Sequence, residues 1–165
     1  MQKMKKHYSA EEAYNRLSAR LAAAEYAPAD IVGKMRNWAL TEEEIAQVMQ
    51  RLTAEKFVDE HRFVHAFVKD KFEYARWGRR KIALALRLKG IGNVLVDEAL
   101  SDIDEERYTA ALRELMTAKI RTVKGRNAYE RKVKLVRFGL SRGFEQGLCR
   151  DIAGEIVPDG DDDNF

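Results

Sequence analysis

Apolar residues recur along this chain at intervals of three and four, with polar residues between them, over nearly its whole length. That spacing lays one apolar stripe along each of a series of helices. Ala13, Leu17, Leu21 and Ala24 mark the first, opened by Ser9 with Glu12 three places on, a capping box. Pro28 starts the second, where its missing N–H costs least, and Ile31, Met35 and Trp38 line it up to a stop near Leu40. Thr41 and Glu44 form a second capping box with an acidic first turn, ahead of Ile45, Val48, Met49 and Leu52. Between Phe57 and Ile91, the residues Phe63, Ala66, Phe67, Tyr74 and Trp77 are spaced as one buried helical face, which Gly78 interrupts. A short helix follows with Ile82, Ala85 and Leu86 on one side. Lys89-Gly90-Ile91 stops it, with glycine where a helix end needs a left-handed residue. Further on, Tyr108, Ala111, Leu112 and Leu115 predict a helix from about Glu106 into the 120s, and Lys124-Gly125-Arg126-Asn127 a loop. A basic helix around Val133, Leu135 and Phe138 and a last helix ending near Pro158 complete the series.

The stops of the middle helices reveal a repeat. Trp38-Ala39-Leu40, Lys89-Gly90-Ile91 and Arg142-Gly143-Phe144 align, 51 and 53 residues apart. Nine places before the last residue of each stand Ile31, Ile82 and Leu135. Five places after stand Ile45, Val96 and Cys149; eight after, Val48, Ala99 and Ile152; twelve after, Leu52, Ile103 and Ile156. Apolar residues at every aligned position, with a period near 50, mark a repeated supersecondary unit. The chain therefore reads as all-α: three tandem three-helix repeats at 9–58, 59–104 and 105–158, about nine helices, then an acidic tail at 159–165.

Charge sharpens this picture. Lys, Arg, Asp and Glu make up 35% of the chain, against roughly 25% in an average protein, which suits helices with solvated faces. The net charge of +3 conceals an uneven distribution. Residues 69–89 carry 8 basic and 2 acidic side chains, and residues 106–142 carry 11 and 3. Residues 90–105 carry 0 and 5, and residues 143–165 carry 1 and 7. Two basic segments of this strength favour a polyanion or an acidic protein partner, the plainer alternative being an ordinary solvated face. A single cysteine, Cys149, leaves no internal disulfide and suits a reducing compartment. No apolar run reaches the roughly 18 residues of a membrane span. The basic N-terminus has no apolar core behind it, unlike a signal peptide. These features predict a soluble, cytoplasmic protein with no membrane partner.

Candidate chemistry is sparse. Phosphate-loop, dinucleotide, HExxH and CxxC patterns are all missing, so the reading is a non-enzyme with no catalytic residues and no cofactor. His61 and His65 lie one helical turn apart but lack further ligands, so they read as a surface pair and no metal site is expected. Cys149, at an apolar repeat position, reads as a small core residue. Asp59 reads as a helix N-cap or first-turn anion, and Trp77 as a core anchor with exposed binding as the alternative. Gly78, Gly90 and Gly143 read as turn residues in a left-handed conformation. The binding candidates are the basic residues of two middle helices, for acidic side chains or DNA phosphate. They are Arg79, Arg80, Lys81, Arg87 and Lys89 in the second repeat, and Arg131, Lys132, Lys134, Arg137 and Arg142 in the third. Regular stacking of the repeats would join them into one stripe.

Phe57-Val58-Asp59-Glu60-x-Arg62-Phe63, followed by Trp77-Gly78-Arg79-Arg80-x-Ile82-x3-Leu86-x2-Lys89-Gly90-Ile91, resembles the signature of the RecX family, small bacterial proteins that regulate the recombinase RecA. Leu140-Ser141-Arg142-Gly143-Phe144 extends the likeness. The resemblance implies an elongated, curved helical array that binds the RecA nucleoprotein filament. It also implies inhibition of the filament's ATPase, strand-exchange and coprotease activities, without enzymatic action of its own. The first repeat departs from the pattern, since Ala39 stands where the others carry glycine, which puts equal contributions of the three repeats in doubt. The competing reading is a DNA-binding protein, nonspecific or of helix-turn-helix type, since Leu86-x3-Gly90-Ile91-x4-Val96 has a suitable spacing. Its would-be recognition helix carries Asp97 and Glu98, which repel phosphate, so DNA contact would be weak and salt-dependent. An adaptor for another acidic partner is a third reading, and a monomer is the expected state.

Overall fold

The computed structural model describes residues 6–159, and among these it contains nine α-helices, one 3-10 turn and no strand. The helices are α1 (Ala10–Leu21), α2 (Pro28–Asn37), α3 (Glu42–Ala54), α4 (Glu60–Glu73), α5 (Arg79–Leu88), α6 (Asn93–Ser101), α7 (Glu105–Lys119), α8 (Ala128–Ser141) and α9 (Gln146–Ile156). They form tandem three-helix repeats, as the periodicity predicts. The acidic tail from Gly160 onward lies outside the described residues. No helix among the described residues is long and apolar enough to cross a membrane.

The aligned apolar positions become the core. Ile31, Ile82 and Leu135 are buried, as are Leu40, Ile91 and Phe144, and the positions after each stop follow suit. Each such side chain removed from water stabilises the fold by about 1.5–3 kcal/mol. Ile156 is the exception, only half-buried, because at the fraying end of α9 the next residue, Val157, turns inward instead. The three stops share one backbone geometry: φ is +60° at Ala39, +80° at Gly90 and +93° at Gly143. At two of them the following amide reaches back five residues, Leu40 to the Met35 carbonyl at 3.2 Å and Phe144 to that of Gly139 at 3.1 Å. This is the bond that satisfies an orphan carbonyl at a helix end.

Three expected faces need correction; in α1, Ala24 lies beyond the helix end at Leu21 and is exposed. In α4 the buried residues are Phe63, Val64, Val68 and Phe72, whereas Ala66 is exposed and Tyr74 is 79% exposed. The helix ends at Glu73, so Tyr74 and Trp77 lie beyond it. Val64, Val68 and Phe72, each four residues on, form a stripe beside the expected one. In α5, Ala83 joins Ile82 and Leu86 in the core while Ala85 is half-buried.

Packing divides the chain into two compact units, with the division inside α4. The first takes the residues up to Phe67 with Lys89–Ile91; the second takes Val68–Leu88 and the residues from Gly92 on. In the first unit, α1 and α2 pack on α3 around Leu17, Ile31, Met35, Ile45, Val48 and Leu52. Both predicted capping boxes close: Ser9 Oγ accepts from the Glu12 amide at 3.1 Å, and Thr41 Oγ1 from that of Glu44 at 3.2 Å. In the second unit, α5 packs on α6, and α7, α8 and α9 pack on one another. Tyr108 sits fully buried there between the rings of Phe72 and Phe144, with centroids 5.8 and 5.0 Å away. Cys149 is a core residue as expected, and burial pushes its thiol up to about 11. A side chain on Gly139 would strike its sulfur and the Met116 methyl, so α8 and α9 pack closely because this position is bare.

Candidate partner-binding site

The residue before α5 is Gly78, which has no side chain with which to cap the helix. A helix start leaves backbone N–H groups unsatisfied. Here the turn between α8 and α9 supplies the acceptors. The Gly78 amide donates to the Arg142 carbonyl at 2.8 Å, and the Arg80 amide to the Gly143 carbonyl at 3.0 Å. Between them, the Arg79 amide donates to the Tyr108 hydroxyl at 3.0 Å, which donates in turn to Glu145 Oε1 at 2.5 Å. Burial, reinforced by the bond to Glu145, holds the Tyr108 phenol far above its ordinary value, so it stays protonated.

These bonds require two backbones to touch. A Cβ on Gly78 would lie 2.3 Å from the Gly143 carbonyl carbon, and one on Gly143 would lie 2.3 Å from Lys81 Cβ. Gly143 needs glycine for its positive φ as well; Gly78 does not have a positive φ. The left-handed expectation for Gly78 is therefore corrected: close approach, not backbone conformation, excludes a side chain there. Gly90 has the left-handed φ and open space around it.

Several predicted binding cations are committed to this junction. The Arg79 guanidinium stacks 3.9 Å above the Tyr108 ring and pairs with Glu145 at 3.1 Å and with Glu105. Arg142 donates to the Ala75 carbonyl and, at 3.2 Å, to that of Arg76, clamping the link between α4 and α5. On α8, Lys132 pairs with Asp159, Lys134 donates to the Lys124 carbonyl, and Arg131 packs beside Gly125. Arg137 is exposed. Lys89, in the first unit, donates to Asp30 at 2.7 Å.

Three further cations are on α5. Arg80 and Arg87 are exposed, and Lys81 lies 4.6 Å over the Trp77 ring, whose other cationic neighbour is Lys71 at 5.0 Å. Trp77 is thus half-buried between two ammonium groups. Arg87 donates to the neutral Asn93 side chain at 2.9 Å. None of Arg80, Lys81 and Arg87 pairs with a carboxylate among the described residues. These three border an open cleft of about 1030 Å³ between α5, the end of α6 and the α8–α9 turn. Its lining includes Leu84, Leu100 and Leu140, with Asp97 and Glu145, but none of the basic residues proposed on α8. Periodicity did not single out Leu84 and Leu88, which are 57% and 80% exposed. The signal was present: a helix that buries Ile82 and Leu86 has no inward place for Leu84 and Leu88.

The other motif residues are structural. Asp59 Oδ1 accepts from the Arg62 amide at 3.0 Å, and that bond holds its carboxyl below the ordinary range. Arg62 pairs with Glu25 and donates to the Lys56 and Phe57 carbonyls, tying α4's start to the preceding turn. Phe63, Ile82, Leu86, Ile91 and Phe144 are core.

Two family models match the chain: the second three-helix domain of RecX over residues 59–100 and the third over residues 105–152. Similar proteins include Regulatory protein RecX of Limosilactobacillus reuteri, 25% identical over 91% of this chain and 57% of that protein. Those of Streptomyces coelicolor (24% identical, 78% and 69% covered) and Prosthecochloris aestuarii (28%, 88% and 94%) also match. The chain thus spans little more than half the length of the Limosilactobacillus protein. Among solved structures, a crystal structure of regulatory protein RecX superposes with a TM-score of 0.78 at 22% identity, covering 92% of this chain and 72% of that one. RecX from Lactobacillus salivarius gives 0.77 at 17% identity, covering 89% and 96%. At these identities the superpositions establish the fold.

Proposed function

The chain belongs to the RecX family of regulatory proteins, and from that premise we propose that it binds the RecA nucleoprotein filament and represses its ATPase, strand-exchange and coprotease activities. One observation carries the reading to a place on the molecule. Within the segment matched by the second RecX domain, α5 presents Arg80, Lys81 and Arg87 around an open cleft, unpaired with any carboxylate among the described residues. The action is binding, not catalysis, and its site is where RecA works, in the cytoplasm. Specific DNA readout is disfavoured because α6, the helix after the basic one, carries Asp97 and Glu98.

The test is ATP hydrolysis by RecA on single-stranded DNA, titrated with this protein at fixed salt. Inhibition far below one molecule per DNA-binding site supports a filament regulator. Inhibition that needs enough protein to coat the DNA indicates competition for phosphate, and no inhibition at any ratio overturns the proposal.

A further inference from the structure

We propose that the cleft between α5, α6 and the α8–α9 turn docks an acidic protein segment through an apolar side chain seated between its carboxylates. This deepens the filament-regulator reading and rests on it for the identity of the partner, while the chemistry of the cleft stands by itself.

The outer face of α5 alternates charge and apolar surface: Arg80, Leu84, Arg87 and Leu88 are all exposed and lie at i, i+4, i+7 and i+8. Solitary exposed leucines need no explanation, but two on one short helix, interleaved with arginines that pair with no carboxylate among the described residues, make a mixed surface of the kind interfaces use. Leu84 lines the cleft with Leu100 and Leu140, giving an apolar floor with Arg80, Lys81 and Arg87 at its border. Asp97 and Glu145 are also in the lining. A nucleic-acid backbone gains nothing from the leucines, whereas Asp97 opposes any anion alike and Glu145 is already paired with Arg79. An acidic peptide gains charge pairing with the arginines and burial of one side chain on the floor. That combination selects protein over polyanion, because burying the anchor, not total charge, supplies the discrimination. Arginine favours carboxylates geometrically as well, offering two parallel N–H donors.

Fluorescence anisotropy with three labelled probes tests this. Two are short peptides rich in Asp and Glu with equal charge, one carrying leucines and the other alanines at the same places; the third is single-stranded DNA. The full chain is expected to bind the leucine peptide about tenfold or more tighter than the alanine peptide. Leu84→Ser, an exposed site where folding is not at risk, is expected to abolish that preference. Arg80→Glu is expected to weaken both peptides, and Arg137→Glu on α8 neither. Equal binding of the two peptides, binding of neither, or DNA bound more tightly and weakened by the same substitutions overturns the proposal. A protein that inhibits RecA without preferring the leucine peptide loses this inference and keeps the function. One that prefers the leucine peptide and does not inhibit keeps the cleft and loses the function.

Discussion

α5 and α8 occupy the same place in successive repeats, and both read as basic helices, yet they handle their charge and their ends differently. α8 is capped locally: Asn127 Oδ1 accepts from the Glu130 amide at 2.9 Å, and Glu130 accepts from the Arg126 amide at 3.0 Å. Two of its cations are engaged, Lys132 with Asp159 and Lys134 with a carbonyl, and Arg142 just past its end holds the α4–α5 link. α5 has the opposite arrangement. Its first turn is completed by distant carbonyls and the Tyr108 hydroxyl, and only Arg79 is spent on that junction. Arg80 and Arg87 keep their charge for the outside. A count of basic residues therefore ranks the two helices alike, whereas the partners of each side chain separate them.

If the junction is what positions α5, the largest effect comes from breaking it. Gly143→Ala meets both the backbone of α5 and a left-handed φ, and is expected to cost about 3 kcal/mol or more in urea unfolding. Gly78→Ala is expected to act similarly through the clash alone. Tyr108→Phe leaves the packing and removes one hydroxyl between the Arg79 amide and Glu145, so a loss of about 1–3 kcal/mol is expected. A loss below that range would mean the junction rests on its glycines.

Local capping through Glu130 makes the start of α8 respond to acid. The Arg126 amide and guanidinium hold the Glu130 carboxyl below its ordinary value. Its contribution to stability is therefore complete above the unfolded pKa and is lost as pH falls through the lower folded value. The Arg126 amide resonance should titrate with a midpoint below the ordinary value of about 4.3 for glutamate. An unshifted midpoint would remove the cap from the account. The smallest effect is expected at the equivalent stop of the first repeat. Ala39 adopts φ +60° with a Cβ present, and Ala39→Gly trades relief of that strain against a more flexible unfolded chain. The net change should stay within about 1 kcal/mol, far below that of Gly143→Ala.

The repeat was legible because burial imposes apolar residues at fixed offsets from each stop, and Ile31, Ile82 and Leu135 meet that demand independently. Capping boxes were legible because they are local. The junction was not. Nothing in the surroundings of Gly78 distinguishes a glycine that turns the chain from one that lets another backbone touch it. The pairing of Arg79 with Glu145 joins residues 66 apart in sequence. The candidate site was half legible: basic residues announced themselves, but which were already paired depended on tertiary neighbours. Leu84 and Leu88 were hidden because an apolar residue in an amphipathic helix is assigned to the core by default.

The central claim is that the outer face of α5, not the basic residues of α8, engages the filament. The direct measurement compares two double charge reversals in the RecA ATPase titration, Arg80→Glu with Arg87→Glu, and Lys132→Glu with Lys134→Glu. The account predicts that the α5 pair raises the half-inhibitory concentration about tenfold or more while the α8 pair shifts it by less than about threefold. Equal losses from both pairs, or a greater loss from the α8 pair, would contradict it.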